Sequence, residues 1–107
     1  MTVNAAQLLA LGAPRRETVQ LGDGAEITVR ELSAGERPTF VKVAETEPAR
    51  LPILLVRLCC IAPDGSAMFR DEDDAAVAAL RPEVIDEIAR AVMRVSGLAT
   101  AGDEKKD

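Results

Sequence analysis

The acidic run Asp71–Asp74 is the densest group of side chains that could do chemistry in this chain. Carboxylates can hold a divalent cation, but a calcium loop of the EF-hand type needs glycine at its sixth position and glutamate at its twelfth. Counted from Asp71, those two positions hold Ala76 and Pro82. Negative side chains also favour the first turn of a helix. The run therefore predicts a helix start with a solvated face rather than a metal site.

The nucleophilic side chains have no imidazole partner, because the 107 residues include no histidine. Cys59 and Cys60 are adjacent, and neighbouring Cα atoms lie about 3.8 Å apart, closer than a disulfide normally requires. Two buried thiols in a reducing compartment are the simpler interpretation. The serines Ser33, Ser66 and Ser96 lack the G-x-S-x-G pattern of a nucleophile elbow. We expect no catalytic, cofactor-binding or metal-binding residue, and no cofactor.

The segment Gly22–Gly24 is similar to the start of a dinucleotide fingerprint. The third glycine of that fingerprint is replaced by Ile27, and a strand rather than a helix is expected to follow. Apolar and polar residues alternate on both sides, with Val19 and Leu21 before the turn and Ile27 and Val29 after it. This pattern predicts a β-hairpin that pairs Val19 with Ile27 and packs its apolar face on helices.

Capping residues and apolar spacing predict five helices around this hairpin. Asn4 with Gln7, and Ser33 with Glu36, have the spacing of capping boxes, and Gly97 is placed to end the last helix. The predicted helices cover residues 5–11, 33 to about 46, 50–61, 71 to about 80, and 82–96. The fold class is therefore α+β: a mostly helical single domain with an N-terminal β-hairpin packed on about four helices. We expect this domain over residues 1–98, with a helical arm at 1–14 and a disordered tail at 99–107.

The predicted helix over residues 50–61 is apolar nearly all round. A chain of this size has difficulty covering every side of such a helix by itself, so self-association is an expectation. The short first helix carries Leu8, Leu9 and Leu11. It is marginal on its own and is expected to dock on the core or on a partner.

The composition disfavours nucleic acids and membranes as partners. Aromatic content is two Phe with no Tyr or Trp, and the net charge is −5 with the basic residues dispersed. Base stacking and binding to a phosphate backbone are therefore disfavoured, so no nucleic acid is expected. The longest apolar run, residues 51–62, falls short of the ~20 residues of a membrane span. No targeting segment is evident, and we expect no membrane contact and a cytoplasmic location.

The order of these features resembles the tail assembly chaperones of long-tailed bacteriophages and related prophages. The segment Ile27–Arg37, with the letters ITVRELSAGER, looks like the strand–R-E-L-(S/T)-A-x-E-R–helix pattern of that family. The corresponding later features are the apolar helix at Leu54–Cys60, the turn Asp64-Gly65, Phe69 before the acidic helix start, and Val95-Ser96-Gly97-Leu98. The similarity covers residues 19–98. Two departures are Pro63 before the turn and residues 1–12, which have no counterpart in the family pattern.

The resemblance implies a binding protein rather than an enzyme. Such chaperones coat the long, helical, aggregation-prone tape measure protein during tail assembly in the host cytoplasm. Many also exist in a longer, frameshifted form thought to recruit tail-tube subunits, which adds the major tail protein as a partner. On this hypothesis six apolar residues are expected to be core or partner-binding groove positions: Ile53, Leu54, Leu55, Leu58, Val92 and Val95.

Two other interpretations stay open at the sequence level. A small acidic adaptor or antitoxin-like inhibitor that binds a protein partner would have the same composition. A carboxylate-dependent metalloenzyme would be centred on Asp71–Asp74. Binding of magnesium, manganese or calcium in calorimetry would separate the latter from both binding proteins.

Overall fold

The structure is a computed structural model that describes residues 2–22 and 24–98. The predicted disordered tail at 99–107 lies outside the described residues. The helices and strands run in the order α1 (Ala5–Leu11), β1 (Arg16–Gln20), β2 (Glu26–Arg30), α2 (Arg37–Thr46), α3 (Leu51–Cys59), β3 (Cys60–Ile61), α4 (Asp74–Ala78) and α5 (Pro82–Val95). Short 3₁₀ turns precede three of the helices, at Ala34–Glu36, Pro48–Arg50 and Asp71–Asp73. The α+β prediction is confirmed.

The predicted hairpin is present with the predicted register. β1 and β2 are antiparallel and Val19 lies opposite Ile27. The Leu21 N–H donates to the Ala25 carbonyl at 2.7 Å and closes the ladder. Gly24 in the turn has a φ of 88°, a conformation that glycine adopts without a steric penalty.

The helix predicted over residues 50–61 ends two residues early, and this part of the prediction is wrong. Cys60 takes an extended conformation, and Cys60–Ile61 become the short strand β3, which pairs antiparallel with β2. Ala67 bridges to Ile61 across a turn in which Gly65 has a φ of 91°. A continuous apolar run is compatible with a buried helix and with a buried strand, so the sequence pattern alone could not show where the helix ends.

The core lies between the sheet and two helices. α5 packs on α3, β1 and β2, which places the longest helix across one face of the sheet. The deeply buried core side chains come from every layer: Val29, Leu55, Val56, Cys59, Cys60, Val77, Ala91 and Val92. Aliphatic side chains and the two cysteines fill these positions, and Phe40 and Phe69 are half-buried against them.

Candidate partner-binding surface

The acidic run begins a helix and forms ion pairs. Asp71 accepts from the Arg57 Nη1 at 2.7 Å, while Asp74 is bonded by the Arg57 Nε at 3.1 Å and by Arg50. Arg70 is the N-cap of the 3₁₀ turn Asp71–Asp73, and its N–H donates to the Asp73 carboxylate at 2.8 Å. Within residues 2–22 and 24–98, no group of three His, Cys, Asp or Glu side chains is arranged to hold a metal ion.

The two thiols are free and buried. Cys59 and Cys60 are 0 and 1% exposed. Burial raises the pKa of Cys59 to about 12 and that of Cys60 to about 11. A thiolate is the reactive form, so both side chains act as small apolar groups of the core.

An ion pair joins the end of β2 to the start of α2. Both Nη atoms of Arg30 donate to the carboxylate of Glu36 at 2.8 Å, and Arg30 also donates to the Leu58 carbonyl near the end of α3 at 2.9 Å. The same Glu36 accepts from the Ser33 N–H at 2.9 Å, as the predicted capping box requires. These bonds lower the pKa of Glu36 to about 2 and raise the pKa of Arg30.

Ser96 extends this connection to the end of α5. Its hydroxyl accepts from the buried Leu32 N–H at 3.0 Å, and its carbonyl accepts from Arg37 at 2.9 Å. Together these bonds connect the end of β2 with α2, α3 and α5. We call the following residues the central junction: Arg30, Leu32, Glu36, Arg37, Leu58 and Ser96.

The predicted end of α5 at Gly97 is confirmed. Gly97 has a φ of 74°, and the Leu98 N–H donates back to the Met93 carbonyl at 2.8 Å. This bond is the outer one of a Schellman motif. The motif turns the chain so that Leu98 packs against the core.

The six residues predicted to form the core or a partner-binding groove divide into two groups. Leu55 and Val92 are buried in the core of the chain itself. Ile53, Leu54, Leu58 and Val95 are half-buried and keep part of their surface open to solvent. The partner-binding role of all six stays a prediction, and the second group is the one that a partner could reach without unfolding the domain.

The most exposed apolar side chains lie elsewhere, in α1. Leu8, Leu9 and Leu11 expose 60, 76 and 73% of their surface, and none of the residues of α1 is buried. Both ends of this helix are nevertheless capped, by the Asn4–Gln7 capping box and by Gly12. In the sequence this segment is marked by its lack of charge: residues 1–14 contain no charged side chain, whereas 29% of the residues of the whole chain are charged.

A shallow apolar cleft of about 190 Å³ opens where α3, α4 and α5 meet. Its walls include Pro52, Ile53, Leu80 and Ile85. Of the described residues that line the cleft, only Asp86 is charged. Leu80 exposes 40% of its surface there. We refer to this feature as the apolar cleft.

Neither known protein families nor curated proteins match this sequence. The structure, however, is similar to a solved one, described as the structure of the bacteriophage HK97 tail assembly chaperone. The two share 16% sequence identity, and the match covers 89% of this chain and 96% of that one with a TM-score of 0.66. The chain has the fold of a phage tail assembly chaperone.

The sequence features that resemble the family occupy defined places in this fold. The segment Ile27–Arg37 supplies the strand end, the capping box and two arginines of the central junction. Val95-Ser96-Gly97-Leu98 supplies the helix end that meets it. Across residues 2–22 and 24–98, no helix is long and apolar enough to span a bilayer.

Proposed function

We propose that this protein is a tail assembly chaperone of a phage or prophage, which binds the tape measure protein and keeps it soluble during tail assembly. The observation that carries the proposal is the fold match to the HK97 tail assembly chaperone over nearly the whole of both chains. The protein acts by binding rather than by catalysis, in the cytoplasm of the host cell. The major tail protein is a second proposed partner.

The half-buried residues supply the partner contact in this proposal. Leu54 and Leu58 lie on α3, with Ile53 beside them and Val95 near the end of α5. An amphipathic helix places apolar side chains at i, i+3, i+4 and i+7 and docks on such partly open aliphatic surface. The net charge of −5 then favours the solubility of the complex.

Co-expression with the cognate tape measure protein tests the proposal. We expect the tape measure protein to move from the pellet to the soluble fraction and to co-purify with this chain. A tape measure protein that stays insoluble and does not co-purify would contradict the function.

A pair of variants tests the proposed surface. Leu54→Gln combined with Leu58→Gln should reduce co-purification several-fold, because polar side chains weaken an apolar contact. Val41→Gln is the matched control, since Val41 is exposed on α2 outside the predicted set. Circular dichroism confirms that each variant is folded. Equal capture by all three proteins would remove these residues from the interface.

A further inference from the structure

The three-stranded sheet has one open edge. The strand order is β1–β2–β3, so β1 lies at one side with β2 as its neighbour. At the opposite side Ala67 bridges to Ile61, and the Met68 N–H donates to the Cys60 carbonyl at 3.0 Å, so these residues cover the edge of β3. In the part of the chain that the structure describes, no strand pairs with the outer side of β1.

The register of the hairpin shows which backbone groups of β1 face outward. The Leu21 N–H donates to the Ala25 carbonyl, and the Glu31 N–H donates to the Arg15 carbonyl at 2.8 Å. Hydrogen-bonded pairs alternate along an antiparallel ladder, so every second residue of β1 directs its N–H and carbonyl towards β2. The exposed residues between them direct these groups away from the sheet: Arg16, Thr18 and Gln20. The edge therefore offers a row of donors and acceptors at the spacing of a strand.

Most of the devices that protect edge strands are missing from β1. Natural proteins block such edges with proline, lysine, a β-bulge or a covering segment. β1 has the sequence RETVQ, and its register with β2 is unbroken from Arg16 to Gln20. Its charged residues lie at one end, where Arg15 precedes Arg16 and Glu17. Charges placed in this way select among added strands rather than excluding all of them.

A shallow groove lies next to this edge, on the face of the sheet opposite to Val19 and Val29. It has a volume of about 230 Å³, and its lining includes Thr18, Ile61 and Met68. A strand added to β1 would place a side chain opposite Thr18 on this same face, with the two Cβ atoms about 5 Å apart. Because Thr18 is small, a long apolar side chain at that position can extend past it into the groove.

The basic end of β1 determines which charge an added strand should carry. Glu17 is paired with Arg94, whereas no carboxylate of the described residues forms an ion pair with Arg16. In an antiparallel pair, the residue two positions after the one opposite Thr18 lies opposite Arg16. Opposite charges that face each other across two strands stabilise the pair. An acidic residue is therefore favoured at that position.

We propose that β1 binds an extended segment of a partner protein as a fourth, antiparallel strand, with a long apolar residue opposite Thr18 and an acidic residue opposite Arg16. Main-chain hydrogen bonds supply the affinity of such strand addition, and the groove and Arg16 supply its specificity. The contact uses neither Leu54 nor Leu58. It goes beyond the proposed function and is tested on the purified protein without the tape measure protein.

A synthetic peptide is the probe for this edge. We choose fluorescein-labelled Ser-Thr-Val-Leu-Thr-Glu-Ser, in which the leucine is placed to lie opposite Thr18 and the glutamate opposite Arg16. Fluorescence anisotropy should show saturable binding to the wild-type chain. In the bound strand the N–H of the leucine faces β1, and the N–H of the next threonine faces away from it.

Two N-methylated forms of the probe distinguish strand addition from a general apolar contact. Methylation of the leucine nitrogen removes a hydrogen bond to β1, so the affinity should fall about tenfold. Methylation of the next threonine nitrogen adds the same group at a position that faces away, so the affinity should stay as it was.

Protein variants test the same edge from the other side. Thr18→Pro removes an outward N–H and no bond to β2, and it should weaken binding about tenfold. Thr18→Val is the matched control, because it keeps the N–H and the branched side chain, and it should bind like the wild type. Circular dichroism shows whether each variant is folded. The N-methylated probes decide the question on the wild-type chain if Thr18→Pro does not fold.

A charge-swap comparison tests the role of Arg16. Arg16→Gln should bind the glutamate probe several-fold more weakly than the wild type does. Both proteins should bind a probe with glutamine in place of its glutamate equally well. An Arg16→Gln variant that binds the glutamate probe like the wild type would contradict the assigned orientation of the added strand.

Three results would overturn strand addition as a whole. They are a probe that does not bind saturably, equal affinities of the two N-methylated probes, and wild-type affinity in a folded Thr18→Pro variant. A probe affinity that decreases as the protein concentration rises would assign the edge to a second copy of the chain, and this too would overturn the proposal.

Discussion

The central junction and the N-terminal arm differ in how far the rest of the chain covers and bonds their side chains. In the junction, Arg30 and Ser96 bond partners 28 and 64 positions away, and the side chains of Arg30 and Glu36 are only 24 and 22% exposed. In the arm, Leu8 and Leu9 contribute apolar surface that the fold does not use. Hydrogen bonds tie the first region to the global stability of the domain. No residue of α1 in the second region is buried, so we expect changes there to leave the domain folded.

Truncating a leucine of the core and a leucine of the arm gives the largest expected contrast in stability. Leu55→Ala should lower the free energy of unfolding by about 3 kcal/mol, because Leu55 is only 2% exposed and its truncation leaves a cavity in the core. Leu9→Ala should change it by less than about 0.5 kcal/mol. Urea denaturation of both variants measures the difference. Equal losses would mean that the arm belongs to the cooperative fold.

Arg30→Ala tests the charged part of the junction. We expect a loss of about 2–3 kcal/mol, since Glu36 would keep its partly buried charge without a counter-ion and the Leu58 carbonyl would lose a donor. Arg81→Ala is the control, because its pair with Glu83 is largely exposed and such pairs contribute little. Thermal and urea unfolding of both proteins should rank them in this order, and similar values would contradict it.

Ser96→Ala should cost about 1–2 kcal/mol, because the buried N–H of Leu32 is left without its acceptor. Amide exchange at Leu32 should rise along with the global loss in urea. A stability equal to that of the wild type would show that another acceptor or a water molecule replaces the hydroxyl.

The Arg30–Glu36 pair also predicts a pH dependence. The pKa of Glu36 falls from 4.5 to about 2 in the folded chain, chiefly through its hydrogen bonds from Arg30. A depressed carboxyl pKa stabilises the fold above its unfolded value, and the contribution is lost as the pH falls from about 4.5 towards 2. Melting temperatures of wild type and Glu36→Gln should therefore converge over this interval. Curves that remain parallel would contradict the assignment.

The smallest global effect is expected from the cap of the arm. Asn4→Ala removes a capping bond of 2.9 Å and should destabilise α1 locally by about 1 kcal/mol. Because no residue of α1 is buried, the unfolding midpoint of the domain should not move. Faster hydrogen exchange confined to residues 5–11 would agree with this, whereas a lower midpoint would tie the arm to the core.

Local structure in this chain is predictable from the sequence, because its physical causes lie within a few residues. The capping box of Ser33 and Glu36, the register of Val19 with Ile27 and the stop at Gly97 are all confirmed. Strand β3 was missed, because Cys60 and Ile61 leave the helix only where the edge of β2 offers a partner. That condition depends on residues about 30 positions away.

The site was harder to predict than the fold. The sequence predicted Leu55 and Val92 as core or partner-binding groove positions, and they are core residues. The sequence could not predict which of Leu54 and Leu80 is more exposed, because the exposure of an apolar side chain depends on which helices pack over it. The apolar cleft exists only where three helices converge, and so it has no signature along the chain.

The bond between Leu32 and Ser96 spans 64 positions. Closing such a long loop is entropically costly and slows the search for native contacts. During synthesis, α2 and α3 emerge before α5, which would cover the face of the sheet carrying Val19 and Val29. We therefore expect the core to close only after α5 has been synthesised. The Leu32–Ser96 bond lies before Leu98 in the chain, so we expect changes in sequence after Leu98 to leave this order of assembly unaltered.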